Sequence, residues 1–316
     1  MGRNALVTGG AGFIGSNLVA ALLDRGASVR VVDDFSTGKR ENLEGLLERI
    51  ELIEGSLAEE AICRRAVEDV ELVFHQAALA SVARSIDDPV ASDRVNAGAT
   101  VRLLTAAKDA HVRRFVYAAS SSAYGDIEAP AKTEDLAPQP KSPYAASKLA
   151  GEYYCLAFHT VYGLETISLR YFNVFGPNQD PSSPYSAVIP LFVIAVLDGR
   201  TPTIYGDGRQ SRDFSYVTNV VHANLLACEA PAKAAGEVIN VACGQSNDLL
   251  TLLDAVGRIV GRRIEPQFAP PRPGDVRHSL ADLRKARELL GYEPIVPFEK
   301  GLELAIDWYR SHRERW

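Results

Sequence analysis

The sequence predicts an α/β fold with a doubly wound parallel sheet, followed by a smaller C-terminal α/β lobe. Short apolar segments alternate with helical segments through the first half of the chain, which is the pattern of a parallel sheet covered by helices on both faces. A glycine-rich turn joins the first apolar segment to the first helical one. After about Arg170, proline and glycine become frequent and the apolar segments shorten, which indicates a second lobe.

Six buried strands are expected in the first half, each a short run of apolar residues. They cover residues 5–8, 29–33, 50–54, 72–75, 115–119 and 166–170. The first helix is expected over residues 13–25, because Gly26 stands where a helix commonly ends in a left-handed residue. A closing amphipathic helix is expected over residues 298–315. We predict one domain over residues 1–170, to which some later segments return, and a second over 171–316.

Composition and charge exclude several classes of protein. The 316 residues include 34 Lys and Arg against 40 Asp and Glu, whereas a nucleic-acid-binding surface needs a basic excess. The longest apolar run, residues 187–197, contains Pro190 and is shorter than the ~20 residues that span a bilayer. Dispersed cysteines and histidines predict reduced thiols and no metal site. Since the chain opens directly into the first strand, we expect no targeting peptide and a cytoplasmic protein.

The first candidate site is a dinucleotide-binding turn. Three glycines follow the first strand with GxxGxxG spacing, at Gly9, Gly12 and Gly15. Such glycines let the backbone turn tightly and present bare N–H groups to a pyrophosphate. Asp33 ends the second strand 18 residues after Gly15, where a carboxylate can bind ribose and would repel the 2′-phosphate of NADP. The sequence therefore favours a Rossmann-type sheet that binds NAD, while Lys39 and Arg40 leave NADP open as an alternative.

The second candidate site combines a tyrosine, a lysine and a run of serines. Tyr144 and Lys148 lie four residues apart in a helical segment that begins at Pro143, so both project from one face. A lysine ammonium and a cationic nicotinamide would favour the phenolate, and lowering its pKa from ~10 to ~7 takes roughly 4 kcal/mol. Ser120 and Ser122 follow the fifth strand, at the edge where parallel sheets bind ligands. The pattern predicts a tyrosine general base near neutral pH.

Together these motifs resemble the extended short-chain dehydrogenase/reductase superfamily. The resemblance also covers the second lobe, where three segments are similar to those of the UDP-hexose 4-epimerases. These segments are Leu169-Arg170-Tyr171-Phe172-Asn173-Val174-Phe175-Gly176, Ser211-Arg212-Asp213-Phe214 and Arg272-Pro273-Gly274-Asp275-Val276. In many relatives an Asp-Ile pair contacts adenine where this chain has Ser56-Leu57.

The resemblance implies a role for each matching residue. Ser120 and Tyr144 match the catalytic pair, Lys148 the supporting lysine, and Ser122 a second hydroxyl that faces the sugar. The implied NAD-binding residues are Gly9, Gly12, Phe13, Ile14, Gly15, Asp33, Asp34, Gln76, Ala77, Ala78, Asn96, Tyr144, Lys148 and Tyr171. The implied residues for the UDP-sugar are Ser120, Tyr144, Asn173, Ala187, Val188, Tyr205, Arg212, Arg272, Asp275 and Ser279.

The reaction implied by the resemblance is inversion at C4′ of a UDP-hexose. Tyr144 would take the proton of the 4′-hydroxyl while hydride passes to NAD, and the 4-keto sugar would turn before hydride returns. Relatives that dehydrate sugars carry an Asp-Glu pair where this chain has Ser121 and Ser122, so dehydration is disfavoured. Hexuronate 4-epimerases, decarboxylases and a protein that binds NAD without turnover remain alternatives.

Two further expectations rest on the same resemblance. Ser279 stands where relatives restricted to small hexoses carry tyrosine, which predicts room for an N-acetyl group and turnover of UDP-GlcNAc and UDP-GalNAc besides UDP-Glc and UDP-Gal. The alternative is that another side chain fills that volume. Helices around residues 90–110 and 144–162 are expected to form a homodimer by analogy with the family.

Overall fold

A parallel sheet of seven strands forms the centre of the protein. The computed structural model describes residues 4–182, 187–271 and 276–315. The sheet consists of β1 (Asn4–Thr8), β2 (Ser28–Asp33), β3 (Ile50–Glu54), β4 (Leu72–His75), β5 (Arg114–Ser120), β6 (Glu165–Tyr171) and β11 (Val238–Val241). Its strand order is β11-β6-β5-β4-β1-β2-β3. The predicted doubly wound α/β class is confirmed, because this order places strands on both sides of β1.

Helices cover both faces of the sheet. In chain order, the helices of the described residues are α1 (Phe13–Asp24), α2 (Glu60–Ala66), α3 (Val82–Asp87), α4 (Pro89–Asp93), α5 (Ala99–Asp109), α6 (Pro143–Tyr162), α7 (Val188–Leu197), α8 (Val217–Glu229), α9 (Leu249–Val260), α10 (Arg284–Leu290) and α11 (Phe298–Ser311). One apolar core packs α1, α8 and α10 on the sheet, and a second packs α2, α5 and α6 on the other face. In the described residues, no helix combines the length and apolarity needed to cross a bilayer.

The smaller lobe has a third core and short strands. Its core joins α7, α9 and α11. The short strands are β7 (Val174–Phe175), β8 (Thr203–Tyr205), β9 (Ser211–Arg212), β10 (Ser215–Tyr216), β12 (Asn247–Asp248), β13 (Gln267–Ala269) and β14 (His278–Ser279). They pair as β7 with β10, β8 with β13, and β9 between β12 and β14.

The predicted elements differ from the observed ones in a few places. The six predicted strands are present to within one residue at each end, and helix α1 ends one residue early at Asp24. The closing helix ends at Ser311, followed by the 3-10 turn Arg313–Arg315. The apolar run around Pro190 forms helix α7, because Pro190 is its third residue, where the backbone N–H has no partner within a helix. Strand β11 pairs with β6 although it comes from the second half of the chain.

Candidate active site

The glycine turn brings β1 and β4 into close contact. Gly9 has a φ of 65°, and a Cβ there would lie 2.7 Å from Cα of Ala77. A Cβ on Gly15 would lie 2.0 Å from the carbonyl oxygen of Gly9. Only glycine fits either position, so the first turn of α1 and the end of β4 share one wall of a cavity. Phe13 and Ile14 are half-buried in that first turn and pack on the core.

Asp33 holds the opposite wall of this cavity. Its Oδ2 accepts a hydrogen bond of 2.8 Å from the backbone N–H of Ala11, and Oδ1 accepts one of 2.9 Å from that of Phe35. Burial raises the pKa of Asp33, and the two backbone N–H groups oppose this shift. A Cβ on Gly38 would lie 2.8 Å from Oδ1, so the following loop closes tightly over the carboxylate.

Seven of the predicted NAD-binding residues line the cavity. They are Gly9, Gly12, Asp33, Asp34, Gln76, Ala77 and Ala78. Gly38 and Leu79 also line the cavity, and the sequence analysis did not identify them. The Ser56-Leu57 pair lines it as well. The lining combines the backbone of a glycine turn, the carboxylates of Asp33 and Asp34 and several apolar side chains, a combination that suits a dinucleotide. NAD therefore fits this cavity.

The two cations that left NADP open are paired elsewhere. Nζ of Lys39 lies 2.9 Å from a carboxylate oxygen of Asp180, in the smaller lobe. Arg40 forms an ion pair with Glu54, and its guanidinium carbon lies 4.2 Å from the centroid of the Phe35 ring. A 2′-phosphate would have to compete with these partners, and it would also face Asp33. The site thus favours NAD.

A chain of buried polar groups connects β1, β4 and helix α5. Oγ1 of Thr8 lies 2.8 Å from Nδ1 of His75, and Nε2 of His75 lies 2.9 Å from Oγ1 of Thr100. Burial, aided by the charge of Lys148, lowers the pKa of His75 to about 3. This imidazole is therefore neutral at physiological pH. Thr8 and Thr100 were not predicted, because only the folded chain brings them together.

Asn96 lies in a π-helical turn (Arg94–Gly98) between α4 and α5. Its Oδ1 accepts a hydrogen bond of 2.8 Å from the backbone N–H of Leu79, and its Nδ2 donates one of 2.9 Å to Oγ of Ser147. Ser147 in turn donates to the carbonyl oxygen of Tyr144 at 2.9 Å. Asn96 is buried and forms its hydrogen bond to Leu79 in the cavity wall. The sequence analysis expected Asn96 to bind NAD, whereas here it supports a residue that lines the cavity.

The serine run and Tyr144 meet at the carboxyl edge of the sheet. Oγ of Ser122 donates a hydrogen bond of 2.8 Å to Oγ of Ser120, whose backbone pairs with Tyr171 across β5 and β6. The hydroxyl of Ser120 also lowers the pKa of Tyr144, yet burial outweighs this effect and raises that pKa. Hydroxyl groups of three side chains are thus gathered where the predicted chemistry needs them.

The expected effect of Lys148 on Tyr144 is not found in the protein alone. Burial of the phenol raises its pKa, and Lys148 is not among the groups that shift it. Lys148 is itself buried, which lowers its pKa to about 8, and its Nζ lies 4.5 Å from the centroid of the Tyr117 ring. A phenolate at neutral pH therefore needs positive charge in addition to that of the chain's own groups.

Tyr171 forms hydrogen bonds to Gln76, a residue of the cavity wall. Its hydroxyl lies 3.2 Å from Nε2 of Gln76 and 3.1 Å from Oδ1 of Asn224. Burial raises the pKa of Tyr171 to about 12, so the phenol is neutral. It fixes the amide of Gln76, which lines the cavity.

Three of the predicted substrate residues come together in the smaller lobe. Nδ2 of Asn173 donates a hydrogen bond of 3.2 Å to the carbonyl oxygen of Asp213, next to Arg212. Arg212 pairs in register with Ser279 across β9 and β14. The carboxylate of Asp213 accepts a backbone N–H of Ala281 at 3.2 Å, and burial raises its pKa to about 6. Asp213, which the sequence analysis did not assign, anchors this group.

The remaining predicted substrate residues are less closely associated. Ala187 and Val188 begin helix α7, and Tyr205 ends β8. The described contacts do not join these three residues to Ser120 or Tyr144. Arg272 and Asp275 lie outside the described residues. Within the described ranges, no cluster of three His, Cys, Asp or Glu residues has the geometry for a metal ion.

Known proteins match the chain over nearly its whole length. Residues 5–242 match the NAD dependent epimerase/dehydratase family. The UDP-glucose 4-epimerase of Mycolicibacterium smegmatis is 40% identical, with 97% of this chain and 98% of the relative covered. The structure of the Thermotoga maritima UDP-glucose 4-epimerase with UDP-glucose has a TM-score of 0.93 at 40% identity, covering 98% and 99% of the chains. The UDP-N-acetylglucosamine 4-epimerase of Methanobrevibacter ruminantium M1, in complex with UDP-N-acetylmuramic acid, gives the same TM-score, identity and coverage.

Proposed function

The chain belongs to the NAD dependent epimerase/dehydratase family, and we propose that it is an NAD-dependent 4-epimerase of UDP-hexoses. Its substrates are UDP-Glc and UDP-Gal, together with UDP-GlcNAc and UDP-GalNAc. The observation that carries the proposal is the group formed by Ser120, Ser122 and Tyr144 at the edge of the sheet, beside a cavity suited to NAD. Similar proteins are UDP-glucose and UDP-N-acetylglucosamine 4-epimerases.

Each catalytic side chain then has a defined task. Tyr144 removes the proton of the 4′-hydroxyl and later returns it, while Ser120 holds the sugar oxygen by a hydrogen bond and relays the proton. Ser122 donates to Ser120, which keeps the Ser120 hydroxyl free to donate to the sugar. Bound NAD supplies a hydride acceptor and donor together with a positive ring charge. Lys148 contributes a second positive charge from the buried side of helix α6.

Inversion requires that the UDP group stays bound while the sugar turns. We assign the UDP group to Asn173, Ala187, Val188, Tyr205, Arg212, Arg272 and Asp275. Guanidinium groups suit a diphosphate because each can donate two parallel hydrogen bonds. The small side chain of Ser279, which lies beside Arg212, leaves room for an N-acetyl group on the turning sugar.

The residues beside Ser120 argue against dehydration of the sugar. Elimination of water needs an acid and a base near C5 and C6, and the chain has hydroxyls at Ser121 and Ser122. A hydroxyl is a weak acid and a weak base at neutral pH. Epimerisation needs only the removal and later return of a single proton, which Tyr144 performs.

The surface supports a homodimer. Helices α3 and α4 pack against α6, and large apolar side chains on these helices are exposed: Val82, Ile86, Val90, Tyr153, Tyr154 and Leu156. A surface of this kind is typical of a protein interface.

We further propose residues 1–170 as the NAD-binding domain and 171–316 as the UDP-sugar lobe. Four free, buried cysteines suit a reducing, cytoplasmic compartment.

The decisive experiment follows the configuration of C4′ by NMR. Purified protein is incubated separately with UDP-Glc, UDP-GlcNAc and UDP-glucuronic acid, and cofactor released by denaturation is identified by mass. Conversion of both hexoses, with NAD released, supports the proposal. Conversion of the hexuronate alone would replace it by the uronate alternative, and retention of C4′ configuration in all three substrates would refute it.

A matched pair of variants tests the role of the phenol. Tyr144→Phe removes the hydroxyl that abstracts the proton, so kcat falls by about a thousandfold or more while UDP binding persists. Tyr153→Phe makes the same change at an exposed position of the same helix and leaves kcat unaltered. Equal activity of the two variants would remove Tyr144 from the mechanism.

A further inference from the structure

A buried ion pair lies on the face of α6 that carries Tyr144 and Lys148, where the helix packs against β6. Glu152 follows Lys148 by one helical turn, and Arg170 lies in β6; their residues are only 2% and 3% exposed. Nε of Arg170 donates to Oε1 of Glu152 at 3.0 Å, and Nη2 donates to Oε2 at 2.7 Å. Buried charges are tolerated when they are paired in this bidentate way. The proposed chemistry of the site uses neither residue.

The pair affects Lys148 through charge and not through direct contact. Both oxygens of Glu152 are engaged by Arg170, and the described side chains show no ion pair between Glu152 and Lys148. Burial lowers the pKa of Lys148, and the negative charge of Glu152 raises it. The ammonium thus remains charged at neutral pH while its N–H groups stay available to other partners.

No other group that faces Lys148 in the described structure supplies negative charge at neutral pH. Tyr144 and Cys155 face it from α6, His75 from β4 and Tyr117 from β5. Burial raises the pKa of Tyr144, Tyr117 and the Cys155 thiol and lowers that of His75 to about 3. These four groups are neutral at pH 7. Of the described groups that face Lys148, Glu152 is therefore the one whose negative charge offsets the desolvation of the ammonium.

Arg170 also reaches the segment that carries the serines. Its guanidinium carbon lies 4.6 Å from the centroid of the Tyr124 ring. Tyr124 ends the 3-10 turn Ser121–Tyr124, and its hydroxyl donates to Oδ1 of Asn240 at 2.7 Å. Nη1 of Arg170 is buried and has no hydrogen-bond partner among the described groups, so the aromatic face provides its stabilisation.

We propose that Glu152 and Arg170 form a positioning pair for the reaction. Arg170 fixes the turn bearing Ser120 and Ser122 relative to helix α6, and Glu152 stabilises the charged form of Lys148. This inference rests on the proposed function, because the tasks of Ser120, Tyr144 and Lys148 come from it. Neither Glu152 nor Arg170 touches the sugar.

The test replaces both charges at once. In Glu152→Met/Arg170→Met the volume is roughly kept and neither member of the ion pair is left without its partner, a change that folded proteins often tolerate. Lys148 then lacks the negative charge that offsets its desolvation, which is the effect that the test measures. The matched control is Arg114→Met/Glu165→Met. Nη2 of Arg114 lies 2.6 Å from Oε2 of Glu165, and this pair joins β5 and β6, the strands that carry Ser120 and Arg170, at the ends remote from Ser120.

The two double variants are compared as NAD-bound proteins. For Glu152→Met/Arg170→Met we expect kcat at pH 7 to fall about tenfold and the alkaline limb of the kcat profile to move down by about one pH unit, with KM for the UDP-sugar within about twofold. The control keeps the wild-type profile, whatever its melting temperature. A folded pair variant with unchanged kcat and alkaline limb would overturn the proposal.

A milder variant and a second readout keep the test decisive. If the pair variant does not fold, Arg170→Lys retains the buried charge but loses the guanidinium that lies over the Tyr124 ring. We then expect kcat to fall several-fold with an unmoved alkaline limb, and an unchanged kcat refutes the positioning of the serine turn. If the wild type converts no sugar, the proposed function fails independently. An NMR titration of the Lys148 side chain, assigned by comparison with the Lys148→Met version of each protein, then decides whether the pair variant lowers the pKa of Lys148 as expected or leaves it unaltered, which would refute the inference.

Discussion

Asn96 and Ser147 are joined by a hydrogen bond of 2.9 Å from Nδ2 to Oγ, which links the π-helical turn to helix α6. The same amide accepts the backbone N–H of Leu79 in the cavity wall at 2.8 Å. One side chain therefore sets the distance between the NAD cavity and the first turn of α6, where Tyr144 lies. π-helical turns are often found at functional sites, and here the turn places Asn96 between the two.

Asn96→Ala leaves the buried N–H of Leu79 without a partner. We expect the free energy of unfolding to fall by about 1–3 kcal/mol and NAD to be lost more readily during purification. Asn96→Asp keeps the oxygen that accepts from Leu79 but cannot donate to Ser147, so its NAD content lies between those of the wild type and Asn96→Ala. Urea denaturation and cofactor analysis measure both effects, and wild-type values for Asn96→Ala would contradict this role.

The strands and the glycine turn could be predicted because their signals are local. Continuous apolar runs specify buried parallel strands, and the spacing of Gly9 and Gly15 specifies a turn. Strand β11 was missed because Asn240 interrupts its apolar run; its side chain is satisfied by the Tyr124 hydroxyl and the Lys132 carbonyl, neither of which is near it in sequence. The direction of the Tyr144 shift was also missed, since burial depends on tertiary packing.

Gly38→Ala tests how closely the loop after β2 covers Asp33. The new Cβ would lie 2.8 Å from Oδ1, so the loop must move away from the carboxylate. We expect the Kd for NAD to rise about tenfold or more, corresponding to the loss of roughly one well-placed hydrogen bond to a charged group. Gly45→Ala is the control: a Cβ there meets nothing within 4 Å, so the strain of alanine at its φ of 74° lowers stability without moving the loop over Asp33 or changing the Kd for NAD. The affinities are measured by fluorescence titration with NADH, and equal Kd values for the two variants would disprove this account.

Neutral, buried His75 predicts a loss of stability in acid. The unfolded chain binds a proton at its ordinary pKa of 6.5, whereas the folded protein resists protonation until about pH 3. The unfolded state therefore binds more protons in this window, and stability falls as pH decreases from 6.5 towards 3. His75→Gln removes this contribution while retaining hydrogen-bonding groups. Between pH 6.5 and 4, we expect the wild type to lose about 3 kcal/mol more than the variant; parallel losses in urea titrations would argue against it.

The buried charge of Lys148 lowers the free energy of unfolding at neutral pH. Burial lowers its pKa from 10.5 to about 8, so the unfolded state holds the proton more tightly between these values and wild-type stability rises as pH increases through that window. Lys148→Met removes the desolvated charge, while Glu152 keeps its partner Arg170. At pH 7 we expect the variant to be more stable by about 3 kcal/mol and nearly inactive. Denaturation at pH 7 and pH 10 together with an activity assay checks this, and lower stability of the variant at pH 7 would be inconsistent with it.

Ser279 sets the size of the sugar pocket in the proposed function. Its strand, β14, pairs with the strand of Arg212, and the residue is half-buried, so a larger side chain extends into the space that the N-acetyl group needs. Ser279→Tyr should lower kcat/KM for UDP-GlcNAc by about a hundredfold and that for UDP-Glc by no more than a few-fold, since steric exclusion acts only on the bulkier sugar. Ser279→Ala, which adds no volume, should preserve the wild-type ratio of the two substrates. Initial rates on both sugars measure this ratio, and a Ser279→Tyr variant that loses the two activities equally would show that another residue defines the pocket.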